Sequence, residues 1–190
     1  MLILASGSPR RRELLAQIGV RFEVDVADID ETPEASEVAQ AYVERLALEK
    51  ARVVAARHSD AVVLGADTSV IIDGEILGKP LDEADAATML ARLAGRTHQV
   101  LTAVALVNGE RALVRSIITQ VHFRSLSEEE IQCYVATGEP SDKAGSYGIQ
   151  GFGAILVDAI EGSYSNVVGL PLTETAAMLQ EFNVPVWQVG

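Results

Sequence analysis

The stretch LILASGSPRRR, residues 2–12, decides how this chain begins to fold. Its first four residues form an apolar run with the length of a short buried strand. Ser8 followed by Pro9 is typical of a helix N-cap with proline at the first helical position. Leu14, Leu15 and Ile18 then recur at helical spacing and define one buried face. The sequence therefore predicts a strand, a Gly/Ser loop and a helix.

Three arginines, Arg10–Arg12, fall in the first turn of this predicted helix. Unpaired backbone N–H groups already present positive charge there, and acidic side chains are preferred. The sequence Ser127–Glu130 has that usual form, with a capping box and an acidic first turn. A bound anion would reverse the sign of the interaction at Arg10–Arg12. The alternative is a solvated basic turn without a ligand, and the strand–loop–helix context favours the anion.

Composition limits the classes of partner. The chain has 190 residues and a formal net charge of −12, so we expect neither nucleic-acid binding nor binding to an anionic membrane. No apolar run approaches the roughly 20 residues that span a bilayer. Cys133 is the only cysteine, which excludes an intrachain disulfide. With no signal-peptide pattern at the N-terminus, we expect a cytoplasmic protein.

The run AVVLGADTSVII, residues 61–72, is a nearly continuous apolar strand interrupted by Asp67 and Thr68. Burying a carboxylate is costly unless it finds a partner, binds a metal or changes its pKa. Gly65, two residues earlier, indicates a bulge or a close approach of another backbone. Asp67 could also simply cap a turn at a strand end. We favour a functional role for it.

The rest of the chain predicts a mixed α/β fold. Residues 34–58 have no Gly or Pro and predict one long helix, in which Lys50 lies on the largely apolar side. A lysine there could also extend past the edge of the core into solvent. Asn108-Gly109 joins two long β-branched segments and predicts a hairpin, as does Asp73-Gly74. We further expect a strand over residues 154–157. Long antiparallel hairpins argue against a purely doubly wound sheet.

Several residues have no explanation from local structure. Their cations and hydroxyls suit a multiply charged phosphate ligand, and their carboxylates suit a hard divalent cation. Common phosphate, zinc and serine-hydrolase motifs do not occur, and the three histidines lack metal-ligand spacing. The unexplained residues are Ser6, Ser8, Arg10, Arg11, Glu31, Lys50, Asp67, Thr68, Lys79, Lys143 and Gln150.

Five motifs in order along the chain resemble the Maf-like nucleotide pyrophosphatases. The resemblance extends over essentially the whole length. The motifs are SGSPRR at residues 6–11, GADT at 65–68, GKP at 78–80, DKAGSYGIQG at 142–151 and VVGLPL at 167–172.

The resemblance implies a single domain over residues 1–190 with an elongated, twisted mixed sheet flanked by helices. It implies two lobes with a central cleft, as in the inosine-triphosphate pyrophosphatase group. The implied reaction hydrolyses a nucleoside triphosphate to the monophosphate and pyrophosphate with a divalent metal, Mg²⁺ or Mn²⁺. A homodimer is also implied.

The same resemblance implies roles for individual residues. Asp67 matches the general base, and Glu31 matches a carboxylate linked to metal binding and catalysis, so both are candidate metal ligands. Ser8, Arg11, Lys50 and Lys79 match positions that contact phosphates or support the reaction. Arg10, Thr68 and Gln150 match positions linked to base selection, and we add Lys143 to the substrate-binding set.

The GSYGIQG form around Gln150 resembles the branch of the family that acts on dTTP and UTP. Two alternatives remain open at this stage. One is a pyrophosphatase for modified purine nucleotides such as 7-methyl-GTP. The other is a nucleotide-binding regulator, for instance of cell division, that does not hydrolyse its ligand.

Overall fold

The computed structural model describes residues 1–188. Within them the chain forms seven strands and six α-helices. The strands are β1 (Leu2–Leu4), β2 (Glu23–Val24), β3 (Val62–Ile72), β4 (Glu75–Leu77), β5 (Thr97–Asn108), β6 (Arg111–Phe123) and β7 (Val157–Glu161). The helices are α1 (Pro9–Gln17), α2 (Ala39–Ala55), α3 (Glu83–Leu93), α4 (Glu128–Ala136), α5 (Tyr164–Val168) and α6 (Leu172–Glu181). Short 3-10 segments occur at Glu139–Asp142, Ala144–Ser146 and Phe152–Leu156.

The strands form one mixed sheet in the order β2-β1-β3-β5-β6-β7, with β4 paired to β3. β1 runs parallel to both of its neighbours, β2 and β3. The pairs β3–β4 and β6–β7 are antiparallel. The predicted mixed α/β class is therefore confirmed.

Local signals in the sequence locate several element ends correctly. Ser8 caps α1 by accepting a hydrogen bond from the backbone N–H of Arg11, and Pro9 is the first helical residue. Asp73-Gly74 forms the β3–β4 turn with positive φ at both residues, as the two-residue hairpin requires. Ser127 forms the predicted capping box of α4.

The chain divides into two compact units. Among the described residues, the first unit comprises Met1–Asp67, Thr102–Ile117 and 169–188. Its core contains β1 and the first half of β3, whose side chains are almost fully buried, together with Leu15 of α1 and Leu46 of α2.

The second unit comprises Thr68–Leu101 and Ile118–Val168. Its core joins the apolar faces of α3 and α4 to residues of the sheet, with Leu90, Phe123, Tyr134 and Tyr147 among its largest members. The assignment of residues 1–190 to a single domain stays a prediction. Across residues 1–188, no helix combines the length and the apolar character needed to cross a membrane.

The long helix predicted from residue 34 was wrong at its start, since α2 begins only at Ala39. Residues before it are held in a turn by polar contacts. The carboxylate of Glu37 accepts a hydrogen bond from the Glu34 N–H, and Arg45 binds the same carboxylate at 2.7 and 2.8 Å. Ser36 adopts a positive φ of 60°. These contacts with Arg45, which lies further along the chain, outweigh the local preference for helix.

The strand predicted over residues 154–157 was also wrong. Phe152–Leu156 forms a 3-10 segment, and β7 follows at Val157–Glu161. The N–H groups of Phe152 and Gly153, just before the predicted strand, donate to the carboxylate of Glu139, which holds the backbone there in a non-strand conformation. The apolar sequence of residues 154–157 did not indicate this competing acceptor.

Gly65 allows α2 to pack directly on β3. A Cβ atom at this position would collide with the carbonyl oxygen of Ala47 and would lie 2.8 Å from the backbone nitrogen of Ala51. Both contacts are with helix backbone, which cannot move aside without displacing the helix. The close approach predicted from this glycine is confirmed.

We expect Gly65→Ala to destabilise the protein by about 2 kcal/mol or more, because overpacking forces backbone shifts of this cost. Urea unfolding followed by circular dichroism measures the change. The control is Gly78→Ala, since no atom lies within 4 Å of a Cβ built at that glycine. Equal midpoints for the two variants would contradict the packing argument.

Candidate active site

Asp67 is a carboxylate built into the middle of a buried strand. It follows Gly65 and Ala66 in β3, and only 8% of its surface is exposed. The apolar residues on either side of it supply the strand, while Asp67 itself gains nothing from burial in an apolar environment. A charged group in this position therefore needs a specific partner.

Lys50 of α2 is that partner. Its Nζ atom donates to Asp67 Oδ1 at 2.8 Å and lies 2.9 Å from Glu31 Oε1. The side chains of Lys50 and Asp67 are each 12% exposed, whereas that of Glu31 is 56% exposed. One ammonium thus joins a buried carboxylate to a solvent-facing one.

Burial raises the pKa of Asp67 above its ordinary value, and the nearby positive charges of Lys50 and Arg11 act in the opposite direction. The hydrogen bond from Lys50 also favours the ionised form. The negative charge of Glu31 adds to the upward shift. A carboxylate whose pKa is raised while it stays paired with a cation is suited to accepting a proton.

Two side chains of α2 hold the segment that carries Glu31. The hydroxyl of Tyr42 donates to the carbonyl oxygen of Glu31 at 2.8 Å, and Arg45 Nη2 donates to the carbonyl oxygen of Thr32 at 3.2 Å. The pKa of Tyr42 is raised by burial and by the charges of Asp67 and Glu31, so the phenol keeps its proton and donates. The position of Glu31 thus depends on the same helix as Lys50.

The loop before α1 is tied to a distant part of the chain through Arg11. Arg11 Nε donates to the carbonyl oxygen of Gly169 at 2.8 Å, and its Nη1 donates to Ser6 Oγ at 3.2 Å. Ser6 Oγ also accepts from the N–H of Ser8 at 3.2 Å. The first and last of the five sequence motifs therefore meet at one guanidinium.

The three arginines of the first turn have different surroundings. Burial lowers the pKa of Arg11, and the charges of Asp67 and Glu31 oppose that shift. Arg10 is half-buried, and its positive charge also lowers the pKa of Arg11. Arg12 is exposed and donates to the carbonyl oxygen of Gly7 at 3.5 Å. The first unit therefore brings together Ser8, Arg11, Glu31, Lys50 and Asp67, with Arg10 beside Arg11.

The second unit contains the other four predicted residues. Thr68 is half-buried, while Lys79 and Gln150 are exposed. Lys143 Nζ donates to the carbonyl oxygen of Glu139 and to Asp142 Oδ1, both at 2.9 Å. The N–H of Gly145 donates to the carbonyl oxygen of Gly78, which joins the glycine-rich motif to the GKP motif.

Two carboxylates of the site, Glu31 and Asp67, are candidate ligands for a divalent cation. Among residues 1–188, no group of three or more His, Cys, Asp and Glu side chains could hold a metal ion. Asp67 and Glu31 do approach the same ammonium, so two carboxylates converge on one cationic position. Mg²⁺ is commonly bound through one or two carboxylates together with substrate phosphates. Two carboxylates therefore suit a metal ion that is shared with substrate phosphates better than one that protein side chains coordinate alone.

Comparison with known proteins assigns this chain to a family. A family model described as Maf-like protein matches residues 1–182. The chain belongs to the Maf-like family. A dTTP/UTP pyrophosphatase of Myxococcus xanthus is 58% identical over 192 residues, covering 100% of this chain and 97% of that protein. A dTTP/UTP pyrophosphatase of Symbiobacterium thermophilum is 57% identical over 189 residues, covering 100% and 97%.

Among solved structures, a nucleoside-triphosphatase described as a dITP/XTP pyrophosphatase from Mycobacterium abscessus is similar. It is 19% identical, covers 95% of this chain and 94% of that chain, and superposes with a TM-score of 0.46. The recognition of the family from the five sequence motifs is confirmed by the family model and the relatives.

The structure adds positioning residues that sequence reasoning did not assign. Tyr42 and Arg45 hold the Glu31 segment, and Ser6 and Gly169 hold Arg11. A signal for Tyr42 existed, because it lies eight residues before Lys50 and shares a face of α2 with it. Gly169 and Arg11 are 158 residues apart along the chain, and no local sequence pattern indicates their hydrogen bond.

Removing the ammonium of Lys50 should raise the pKa of Asp67 further, since that cation is the strongest of the influences that lower it. We expect Lys50→Met to move the titration of the Asp67 carboxyl to higher pH, measured by its ¹³C chemical shift. Arg52→Met is the control, because Arg52 is exposed on the same helix. An unchanged titration in Lys50→Met would exclude the proposed coupling.

Proposed function

We propose that this protein is a nucleoside triphosphate pyrophosphatase that converts dTTP and UTP to the monophosphate and pyrophosphate. The observation that carries the proposal is the buried Asp67 carboxylate, held by Lys50 at 2.8 Å. A purely structural role gives little reason to bury this carboxylate. Relatives named dTTP/UTP pyrophosphatase, more than half identical over the whole chain, support the same reaction and substrates.

In the proposed reaction Asp67 acts as general base. It accepts a proton from a water molecule whose oxygen attacks the α-phosphorus. The bond between the α-phosphorus and the α–β bridging oxygen breaks, and that oxygen leaves with pyrophosphate. Because Asp67 Oδ1 already accepts from Lys50, we assign the proton to Oδ2. A base with a raised pKa is better matched to this transfer than an ordinary aspartate.

Positively charged side chains and one hydroxyl group are available to bind the negatively charged triphosphate. We assign Ser8, Arg11, Lys50, Lys79 and Lys143 to phosphate binding or to support of the reaction. Each opposite charge at about 4 Å contributes roughly 4 kcal/mol at an effective dielectric constant of 20, which offsets the repulsion expected from a net charge of −12. Cations near the leaving pyrophosphate stabilise its developing charge.

We assign Arg10, Thr68 and Gln150 to recognition of the base. Arginine and glutamine side chains offer directional hydrogen bonds that suit the edge of a pyrimidine. Gln150 is exposed at the end of a glycine-rich loop, which agrees with a contact made only when a nucleotide is present.

Glu31 and Asp67 are the residues that would hold a divalent cation, with Mg²⁺ or Mn²⁺ as the expected ion. Such an ion neutralises phosphate charge and polarises the phosphoryl group when bound. The exposed Glu31 carboxylate can turn from Lys50 toward an arriving metal at small cost, because an exposed ion pair contributes little. We also propose a homodimer and a cytoplasmic location.

Asp67→Asn should abolish most pyrophosphate release. A general base contributes about 10²–10⁴-fold, so we expect a loss of about 10³-fold in kcat with the fold retained. A coupled pyrophosphate assay with dTTP measures the rate, and circular dichroism checks the fold. The matched control is Asp60→Asn, since Asp60 is exposed. Turnover by Asp67→Asn close to the unmodified rate would remove Asp67 from the role of base.

A panel of nucleotides should separate the proposed function from its alternatives. We expect the highest kcat/KM with dTTP and UTP, and much lower values with CTP, ITP and 7-methyl-GTP. Reaction in ¹⁸O-labelled water should place the label in UMP, because water attacks the α-phosphorus. Faster turnover of 7-methyl-GTP or ITP would assign the chain to modified purines. Metal-dependent binding of dTTP without turnover would identify a nucleotide-binding regulator.

A further inference from the structure

A carboxylate outside the proposed catalytic set organises the glycine-rich loop that carries Gln150. Glu139 follows α4, and its Oε1 atom accepts hydrogen bonds from the Tyr134 hydroxyl at 2.7 Å and from the N–H of Gly153 at 2.9 Å. Its Oε2 atom accepts from the N–H of Phe152 at 2.8 Å. One side chain therefore satisfies three donors, two of them from the loop backbone.

Tyr134 extends this arrangement to the other side of Gln150. Its hydroxyl oxygen accepts a hydrogen bond from the N–H of Gly148 at 3.1 Å while its proton goes to Glu139. The loop is thus fixed two residues before Gln150 and two residues after it. We call the side chains of Tyr134 and Glu139 together the loop clamp.

Two glycines next to Gln150 and Phe152, Gly151 and Gly153, leave room for this clamp. A Cβ atom at Gly151 would collide with Glu139 Oε2, and one at Gly153 would lie 2.7 Å from the Tyr134 hydroxyl oxygen. A Cβ atom at Gly148 would lie 2.7 Å from Cε of Lys143. The backbone therefore passes close to the clamp at Gly151 and Gly153, whereas the neighbour at Gly148 is the flexible Lys143 side chain. A Cβ atom at Gly153 would also meet the carbonyl oxygen of Gly148.

The electrostatics favour an ionised Glu139. Partial burial by itself raises the pKa of this carboxyl, but the bonds from Tyr134, Gly153 and Phe152 and the charge of Lys143 together hold it below its usual range. Burial and the neighbouring carboxylate raise the pKa of Tyr134, which keeps the phenol as a donor. Lys143 also donates to the backbone carbonyl oxygen of Glu139, so a proposed substrate-binding lysine is fixed at the same residue.

We infer that Glu139 is a positioning residue for base selection, which acts by holding the Gln150 loop through the loop clamp. The inference rests on the proposed function, since it takes Gln150 to contact the base. Glu139 does not touch the reacting atoms in this account. Its removal should weaken binding of the preferred nucleotides and leave the chemical step nearly unchanged.

The test compares Glu139→Gln and Tyr134→Phe with the unmodified protein. An amide in place of the carboxylate cannot accept all three hydrogen bonds, so at least one donor loses its partner and meets an NH₂ group instead. We expect KM for dTTP and UTP to rise about tenfold with kcat changed less than threefold, because loss of charge-assisted hydrogen bonds has this size. Tyr134→Phe should give a smaller effect in the same direction.

Two further variants calibrate the result. Glu129→Gln removes the same charge from an exposed position in the first turn of α4 and should change neither constant. Gln150→Ala removes the proposed base contact directly. The inference requires Glu139→Gln to narrow the preference for dTTP and UTP over CTP in the same sense as Gln150→Ala.

Hydrogen exchange supplies a readout that does not depend on activity. We expect the amides of Phe152 and Gly153 to be protected in the unmodified protein, and at least one of them to exchange at least tenfold faster in Glu139→Gln, because a single amide oxygen cannot replace both carboxylate oxygens. Thermal unfolding checks that the variants remain folded; if Glu139→Gln does not fold, the same comparison is made with Tyr134→Phe at the Gly148 amide.

Unchanged exchange in a folded variant would overturn the clamp. Faster exchange with an unchanged nucleotide preference would overturn its role in base selection. If the unmodified protein hydrolyses no nucleotide, the proposed function has failed, and the preference is then measured as dissociation constants for dTTP and CTP. The two failures are therefore distinguishable.

Discussion

The ion pair between Lys50 and Asp67 is the interaction on which the rest of the candidate site depends. The Asp67 carboxylate lies in a strand whose other residues are chosen for burial, and its ionised form is tolerated there only because an ammonium lies 2.8 Å away. Removing Lys50 would take the nearest positive charge away from the buried carboxylate, whereas Lys50 itself has a second partner in Glu31. The pair therefore sets the charge state of Asp67 and, through Lys50, the position of the Glu31 carboxylate.

The backbone makes this ion pair possible. Helix α2 approaches β3 so closely that Gly65 has no room for a side chain, and the contacts are made by Ala47 and Ala51, on either side of Lys50. Tyr42 and Arg45 of the same helix hold the segment that bears Glu31. One helix–strand contact thus positions an acid, its cation and a second carboxylate. Because Gly65, Ala47 and Ala51 are small, the helix and the strand can lie close enough for the ion pair to form.

The second unit uses the opposite arrangement, in which a carboxylate orders the backbone around it. Glu139 accepts from two loop amides and one phenol, and the glycines leave room for it. In both units a glycine in or beside a sequence motif marks a close approach of backbone to another group. Gly65 makes room for a helix, whereas Gly151 and Gly153 make room for a carboxylate and a phenol.

Most local elements, the mixed α/β class and the family could be predicted from the sequence alone. Caps, hairpin turns and apolar runs act over a few residues, so Ser8, Asp73-Gly74 and Ser127 could be read correctly. The isolated charge of Asp67 in an apolar strand also indicated a functional residue. Tertiary contacts, in contrast, fix the partners of Asp67, the start of α2 at Ala39 and the 3-10 segment at Phe152–Leu156. Those features depend on hydrogen bonds and ion pairs formed after the chain has folded, whose energies outweigh the local propensities by which the sequence is read.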